Sequence, residues 1–150
     1  ALDCSYEFIC HIEDGNMAVS LKKLFQIADI LDVKMLSPLV WAYIGDSVYE
    51  LYVRTYLVNT TNLKPHKLHL KAIEYVKAKA QAEILSEIYD NLSDEEKDIV
   101  RRGRNANAHH TPKNADMVDY KYATAFEALI GYLYLTKQDK RLKEILGMCI

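Results

Sequence analysis

Two carboxylates stand out because each interrupts an almost wholly apolar run. Asp46 lies in "AYIGDSVYELYV", residues 42–53, and Glu127 in "YATAFEALIGYLYL", residues 122–135. An isolated buried carboxylate is costly, so each position predicts something that compensates the charge. If the two segments are helices that pack together, the carboxylates meet at one site. Such a pair suits Mg²⁺ or Mn²⁺, hard cations that take oxygen ligands and keep several waters. Gly45 precedes Asp46, and Gly131 follows Glu127 by one helical turn. Both remove side-chain bulk where helices pack or a substrate approaches. The competing reading places both acids at solvated helix edges.

Other constellations are weaker. Glu50 shares a helix face with Asp46, but its spacing to Arg54 also makes an ordinary i,i+4 ion pair. The triplet "GDS" occurs in serine hydrolases, yet Ser47 in mid-helix has neither a tight turn after a strand nor a partner histidine. His109 and His110 are neighbours, and adjacent residues rarely face one ion, so a polar loop pair is expected. The segment "IVRRGRNANAHHTPKNA", 99–115, carries Arg101, Arg102, Arg104 and Lys113 without an acid. Arginine forks suit phosphate oxygens, and Asn105 and Asn107 add neutral donors for sugar or phosphate. The same arginines can instead pair with Asp94, Glu95 or Asp98. A second basic face, Lys64, Lys67 and Lys71, recurs at helical spacing.

These residues need elements to position them. The chain has 150 residues, 50% hydrophobic and 27% charged, with a net charge of −2 and only five Gly and three Pro. That is one domain's worth of core with few turns, and no global field attracts a polyanion. Helical periodicity appears at 20–31, with Ser20 as N-cap, and again after Ser37-Pro38, where a nearly all-apolar helix over 38–58 is expected to be central. Pro65 opens a helix predicted to run to about residue 90. "SDEE", 93–96, is a capping box that starts a helix reaching roughly Gly103. Residues 104–118 read as a loop, 120–135 as an apolar helix and 139–147 as a last one. Nothing alternates with period two for long, so the fold is expected to be all-α.

Asp46, Glu50 and Arg54 in the middle of Leu39–Val58 speak against a membrane span. Cys4, Cys10 and Cys149 form neither a disulfide framework nor a CxxC pair, and no secretory leader is visible. A cytoplasmic protein is therefore expected.

The two apolar segments carry a resemblance. "AYIGDSVYELYV" resembles the signature helix of the ribonuclease III domain, and "YATAFEALIGYLYL" resembles that family's second signature. The lack of a double-stranded-RNA-binding domain, with "RRGRNA" and "PKNA", points to the short bacterial branch, mini-ribonuclease III. The match covers about residues 36–146. The resemblance implies a homodimeric helical catalytic domain over 36–150, with residues 1–30 as an extension of unclear role. It makes Asp46 and Glu127 the catalytic metal-binding residues, with Mg²⁺ as cofactor and Mn²⁺ able to substitute. Tyr43 matches an aromatic that docks into the other subunit. Where the larger enzymes carry further acids, this chain has Ala42 and Thr124, a reduced set also expected of the short branch.

The implied activity is cleavage of double-stranded RNA, with maturation of the 23S ribosomal RNA precursor as its setting. Arg101, Arg102, Arg104, Asn105, Asn107 and Lys113 are the expected RNA contacts, with Lys67 and Lys71 behind them. The rival is a non-catalytic RNA-binding or ribosome-assembly factor on the same fold. A helical protein-interaction module is a third reading.

Overall fold

A computed structural model describes residues 32–106 and 116–150. The expected helix at 20–31, the His109–His110 pair, Asn107 and Lys113 lie outside the described residues. The chain divides into two compact units, Ala1–Met35 and Leu36–Ile150. Of the first, residues 32–35 are described and are helical.

The second unit is helical throughout its described residues. Its elements are α1 (Pro38–Thr60), α2 (Pro65–Val76), α3 (Ala78–Ile88), a 3₁₀ turn (Tyr89–Asn91), α4 (Asp94–Asn105), α5 (Met117–Leu135) and α6 (Asp139–Met148). No strand occurs among the described residues. The start signals act as the residue types require. The Ser37 hydroxyl accepts from the Leu39 amide, with Pro38 in the first turn. Ser93 and Glu96 exchange both bonds of a capping box at α4, and Asp116 caps α5 by accepting from the Val118 amide at 2.8 Å.

α5 is the axis of the unit. Every residue from Ala123 to Leu133 except Glu127 is buried, and a helix apolar on all sides must be surrounded. Its neighbours supply Tyr49, Val53 and Leu57 from α1, Leu85 and Ile88 from α3, Val100 from α4, and Leu142, Ile145 and Leu146 from α6. α1, expected to be central, is half exposed instead. It buries one stripe through Trp41, Gly45, Tyr49, Val53 and Leu57 and leaves Val40, Tyr43, Leu51 and Val58 open.

Two further expectations are corrected. The helix predicted over 65–90 is broken at Lys77, whose extended backbone separates α2 from α3. The break lets α2 bury Ala72 while α3 turns Gln81, Leu85 and Ile88 inward. No proline or glycine marks it, so local sequence carried no signal. The segment read as a loop from 104 is helical as far as Asn105, which puts Arg104 and Asn105 on α4.

A largely buried ion pair ties α4 to α6. Arg141 grips both carboxylate oxygens of Glu96 at 2.7 and 2.9 Å and donates to the Asn91 carbonyl at 2.8 Å. Burial alone would raise the Glu96 pKa, but the bonds from Arg141 and Ser93 outweigh it and hold the carboxyl below its usual range.

Candidate active site

The site is built on the crossing of α1 and α5. Along α1, Trp41, Gly45 and Tyr49 meet Tyr132 and Gly131, then Glu127, then Phe126, so the two helices run antiparallel. At the crossing the backbones touch. A Cβ on Gly45 would sit 2.7 Å from the Glu127 carbonyl carbon and 2.8 Å from the Gly131 nitrogen, and would overlap the Glu127 carbonyl oxygen. A Cβ on Gly131 would collide in the same way with the Trp41 carbonyl and lie 2.9 Å from the Gly45 nitrogen. Of the two roles open to these glycines, helix approach is the one the structure supports. Gly45 is buried, so it does not lower an exposed surface for RNA.

Edge-to-face pairs flank the contact. Trp41 and Tyr132 have ring centroids 5.3 Å apart, and Tyr49 and Phe126 have centroids 4.9 Å apart. Such pairs add specific geometry to the area that they bury.

This close approach brings Asp46 and Glu127 to one place. Asp46 is exposed and Glu127 partly buried. Burial, and then the charge of Asp46, push the Glu127 carboxyl up to about 8, against a smaller opposing effect of the Gln81 amide. Burial and then Glu50 raise the Asp46 carboxyl as well. A carboxylate disfavoured by burial and by a neighbouring carboxylate needs a cation or a proton beside it. Among the described residues no third His, Cys, Asp or Glu completes a cluster. The alanine and threonine at 42 and 124 are both buried, and the Thr124 hydroxyl is used locally, donating to the Tyr120 carbonyl at 3.0 Å.

The remaining candidates are distributed more widely. Glu50 pairs with Arg54 on the same helix. Arg101 pairs with Asp98, Arg102 lies over the Trp41 ring with its guanidinium carbon 4.5 Å from the centroid, and Arg104 faces Tyr122 and donates to Asn105 at 3.3 Å. Arg101 and Arg104, three residues apart, line one cavity with Asp98 and Tyr122, while Arg102 turns to Trp41. Lys71 pairs with Glu74 at 2.7 Å, while Lys64 and Lys67 are exposed. Tyr43 is 76% exposed on the open face of α1.

The residue that sequence reasoning missed is Gln81. It is buried beside Glu127, and a signal existed. Gln81, Leu85 and Ile88 follow helical spacing on the inward face of α3, so a polar residue occupies a core position.

The Ribonuclease III domain family matches residues 39–138. A Mini-ribonuclease 3 from Thermoanaerobacter sp. is 56% identical, covering 79% of this chain and 83% of that protein. Mini-ribonuclease 3 from Enterococcus faecalis is 47% identical over 79% of this chain and 92% of its own length. In Staphylococcus aureus the corresponding values are 46%, 79% and 90%. A crystal structure of a Fusobacterium nucleatum protein superposes with a TM-score of 0.69 at 33% identity, covering 77% of this chain and 93% of that one. By sequence and by the α1–α5 architecture, the chain belongs to the ribonuclease III domain family.

Proposed function

We propose that this endoribonuclease of the ribonuclease III type hydrolyses double-stranded RNA with a divalent cation held between Asp46 and Glu127. The observation that carries the reading is the approach of α1 to α5 at the Gly45–Gly131 crossing, where the charge of Asp46 adds to burial in raising the Glu127 carboxyl. The residues fit a hard cation: both donors are carboxylate oxygens, and one is exposed where RNA must lie. When bound, the cation supplies Lewis-acid stabilisation of phosphoryl charge and an acidified water for attack on phosphorus. Mg²⁺ is the proposed cofactor, and Mn²⁺ substitutes.

The chain's own residues do the rest. Asp46, the exposed carboxylate, faces the scissile phosphate. Glu127 lies deeper, fixes the inner side of the site and gives up its proton when the site is filled. Arg101, Arg102, Arg104 and Asn105 on α4, with Lys67 and Lys71 on α2, contact phosphates and sugars. A-form RNA is recognised by shape, phosphate and 2′-hydroxyl, so sequence preference should be modest.

The enzyme acts as a homodimer, with residues 36–150 as its catalytic domain, and one site per subunit cuts each strand of a duplex. Tyr43 and the apolar residues open beside it on α1, Val40 and Leu51, support this interface. Tyr43→Ala should weaken the dimer by about 3–5 kcal/mol, the usual effect of truncating a packed aromatic. Sedimentation showing a micromolar wild-type monomer would rule the interface out. The resemblance of the two signature segments to the short bacterial branch further implies the bacterial cytoplasm as its place and the 23S ribosomal RNA precursor as its substrate. The primary test is incubation with a long RNA duplex in Mg²⁺ and then in EDTA. Cleavage in the first alone supports the reading, and intact RNA in both favours a binding factor.

A further inference from the structure

Gln81 has no part in the activity as described so far, and its environment is unusual. It is 1% exposed, and neither its amide nitrogen nor its amide oxygen has a hydrogen-bond partner among the described residues. Buried amides are normally satisfied, so an orphaned one calls for an explanation. Its backbone is ordinary: the Gln81 amide donates to the Lys77 carbonyl at 3.1 Å, just after the break between α2 and α3. That break aims the side chain at α5. There the amide lies near the Glu127 carboxyl, on the inward face of α3 that packs against α5, with neither of its polar atoms hydrogen-bonded among the described residues. At 1% exposure it does not reach RNA directly.

We propose that Gln81 is a positioning residue of the active site, whose Nε2 donates to the Glu127 carboxylate and fixes the oxygen that faces the cation. An ionised carboxylate only accepts hydrogen bonds, so the amide nitrogen is the one atom of Gln81 that can serve it. Groups of this kind behind a metal-binding carboxylate orient it, and their loss commonly weakens metal binding 10–100-fold. A neutral donor also fits better than a cation here. A lysine or arginine behind Glu127 would compete with the bound ion for the same negative charge.

The inference rests on the proposed metal site, and the test separates the two. Mn²⁺ binding to the RNA-free protein is followed by the electron paramagnetic resonance of the free ion, for wild type, Gln81→Met, Gln81→Asn, Asp46→Asn and Glu127→Gln. Gln81→Met keeps the length of the side chain and removes the donor. Gln81→Asn keeps an amide that stops short of Glu127. Both should bind Mn²⁺ about 10–100-fold more weakly than wild type. The Mg²⁺ midpoint for duplex cleavage should rise by a similar factor, with the rate recovered at saturating Mg²⁺. Gln81→Met should also melt no lower than wild type without metal, because it removes two orphaned polar atoms. Unchanged Mn²⁺ binding in Gln81→Met, or in Gln81→Asn should the first variant not fold, overturns the positioning role while leaving the metal site standing. Wild-type Mn²⁺ binding unaffected by Asp46→Asn and Glu127→Gln overturns both.

Discussion

Gly45 rests directly on the backbone of Glu127, and this contact brings Asp46, the next residue, near enough for its charge to act on the Glu127 carboxyl. The glycine before Asp46 and the glycine after Glu127 face each other across the same crossing. A helix interior bears the cost of a glycine, roughly 0.5–1 kcal/mol relative to alanine, where the partner backbone must come this near.

Gly45→Ala therefore should not behave as a mild helix-favouring change. Its methyl group meets main chain, which cannot rotate away, so α1 must move off α5. Overpacking of this kind costs about 1–3 kcal/mol and occasionally more. We expect the upper end, a drop in Tm of about 10 °C, with cleavage impaired more severely than stability. Calorimetry showing an unchanged or raised Tm would contradict the close approach.

The raised pKa of Glu127 has a consequence for stability. In the unfolded chain a glutamate titrates near 4.3, whereas in the folded, metal-free protein Glu127 does so at about 8. Between those values the folded state holds a proton that the unfolded state lacks. Stability from this group is complete below the lower value and is lost as pH rises through the upper one. Burial is the main cause and Asp46 the second, with Glu50 acting on Asp46 in turn. Metal-free Tm should fall between pH 5 and 8 in wild type, and Glu127→Gln should remove most of that slope. Equal slopes in the two proteins would count against a buried, proton-holding Glu127.

Among the arginines the structure separates roles that the sequence alone left together. Arg102 stacks on Trp41 and Arg101 is engaged by Asp98, while both lie on a helix that starts with three acids. Removing one cationic side chain from a phosphate lowers the salt-dependence slope of duplex binding by about 0.7–0.9. Changing Arg101, Arg102 and Arg104 to alanine should flatten that slope by about two units with helical content retained. A fall in thermal stability with an unchanged slope would assign these arginines to packing instead.

The fold was legible where periodicity and capping coincide. Ser37-Pro38 and the Ser93–Glu96 box open the helices they announce, and the apolar run around Glu127 becomes the buried axis. What was illegible depends on distant partners. The break at Lys77 exists so that α3 can pack on α5, and no local residue records it. The exposed half of α1 carries Tyr43, Leu51 and Val58, and apolar composition alone cannot distinguish such a face from core. At the site, Asp46 and Glu127 were conspicuous as charges in apolar surroundings. Gln81 was not, because an uncharged polar residue among alanines and lysines looks like surface until its register on α3 is known.

The central claim is that Asp46 and Glu127 together hold the cation that drives strand cleavage, and single-turnover cleavage of a long RNA duplex in saturating Mg²⁺ tests it most directly. Asp46→Asn and Glu127→Gln keep the shape of each side chain and remove its charge. If the claim holds, each variant remains folded and slows cleavage by roughly a thousandfold or more, equivalent to about 4 kcal/mol of forfeited transition-state stabilisation. Near-wild-type rates in either variant would contradict it.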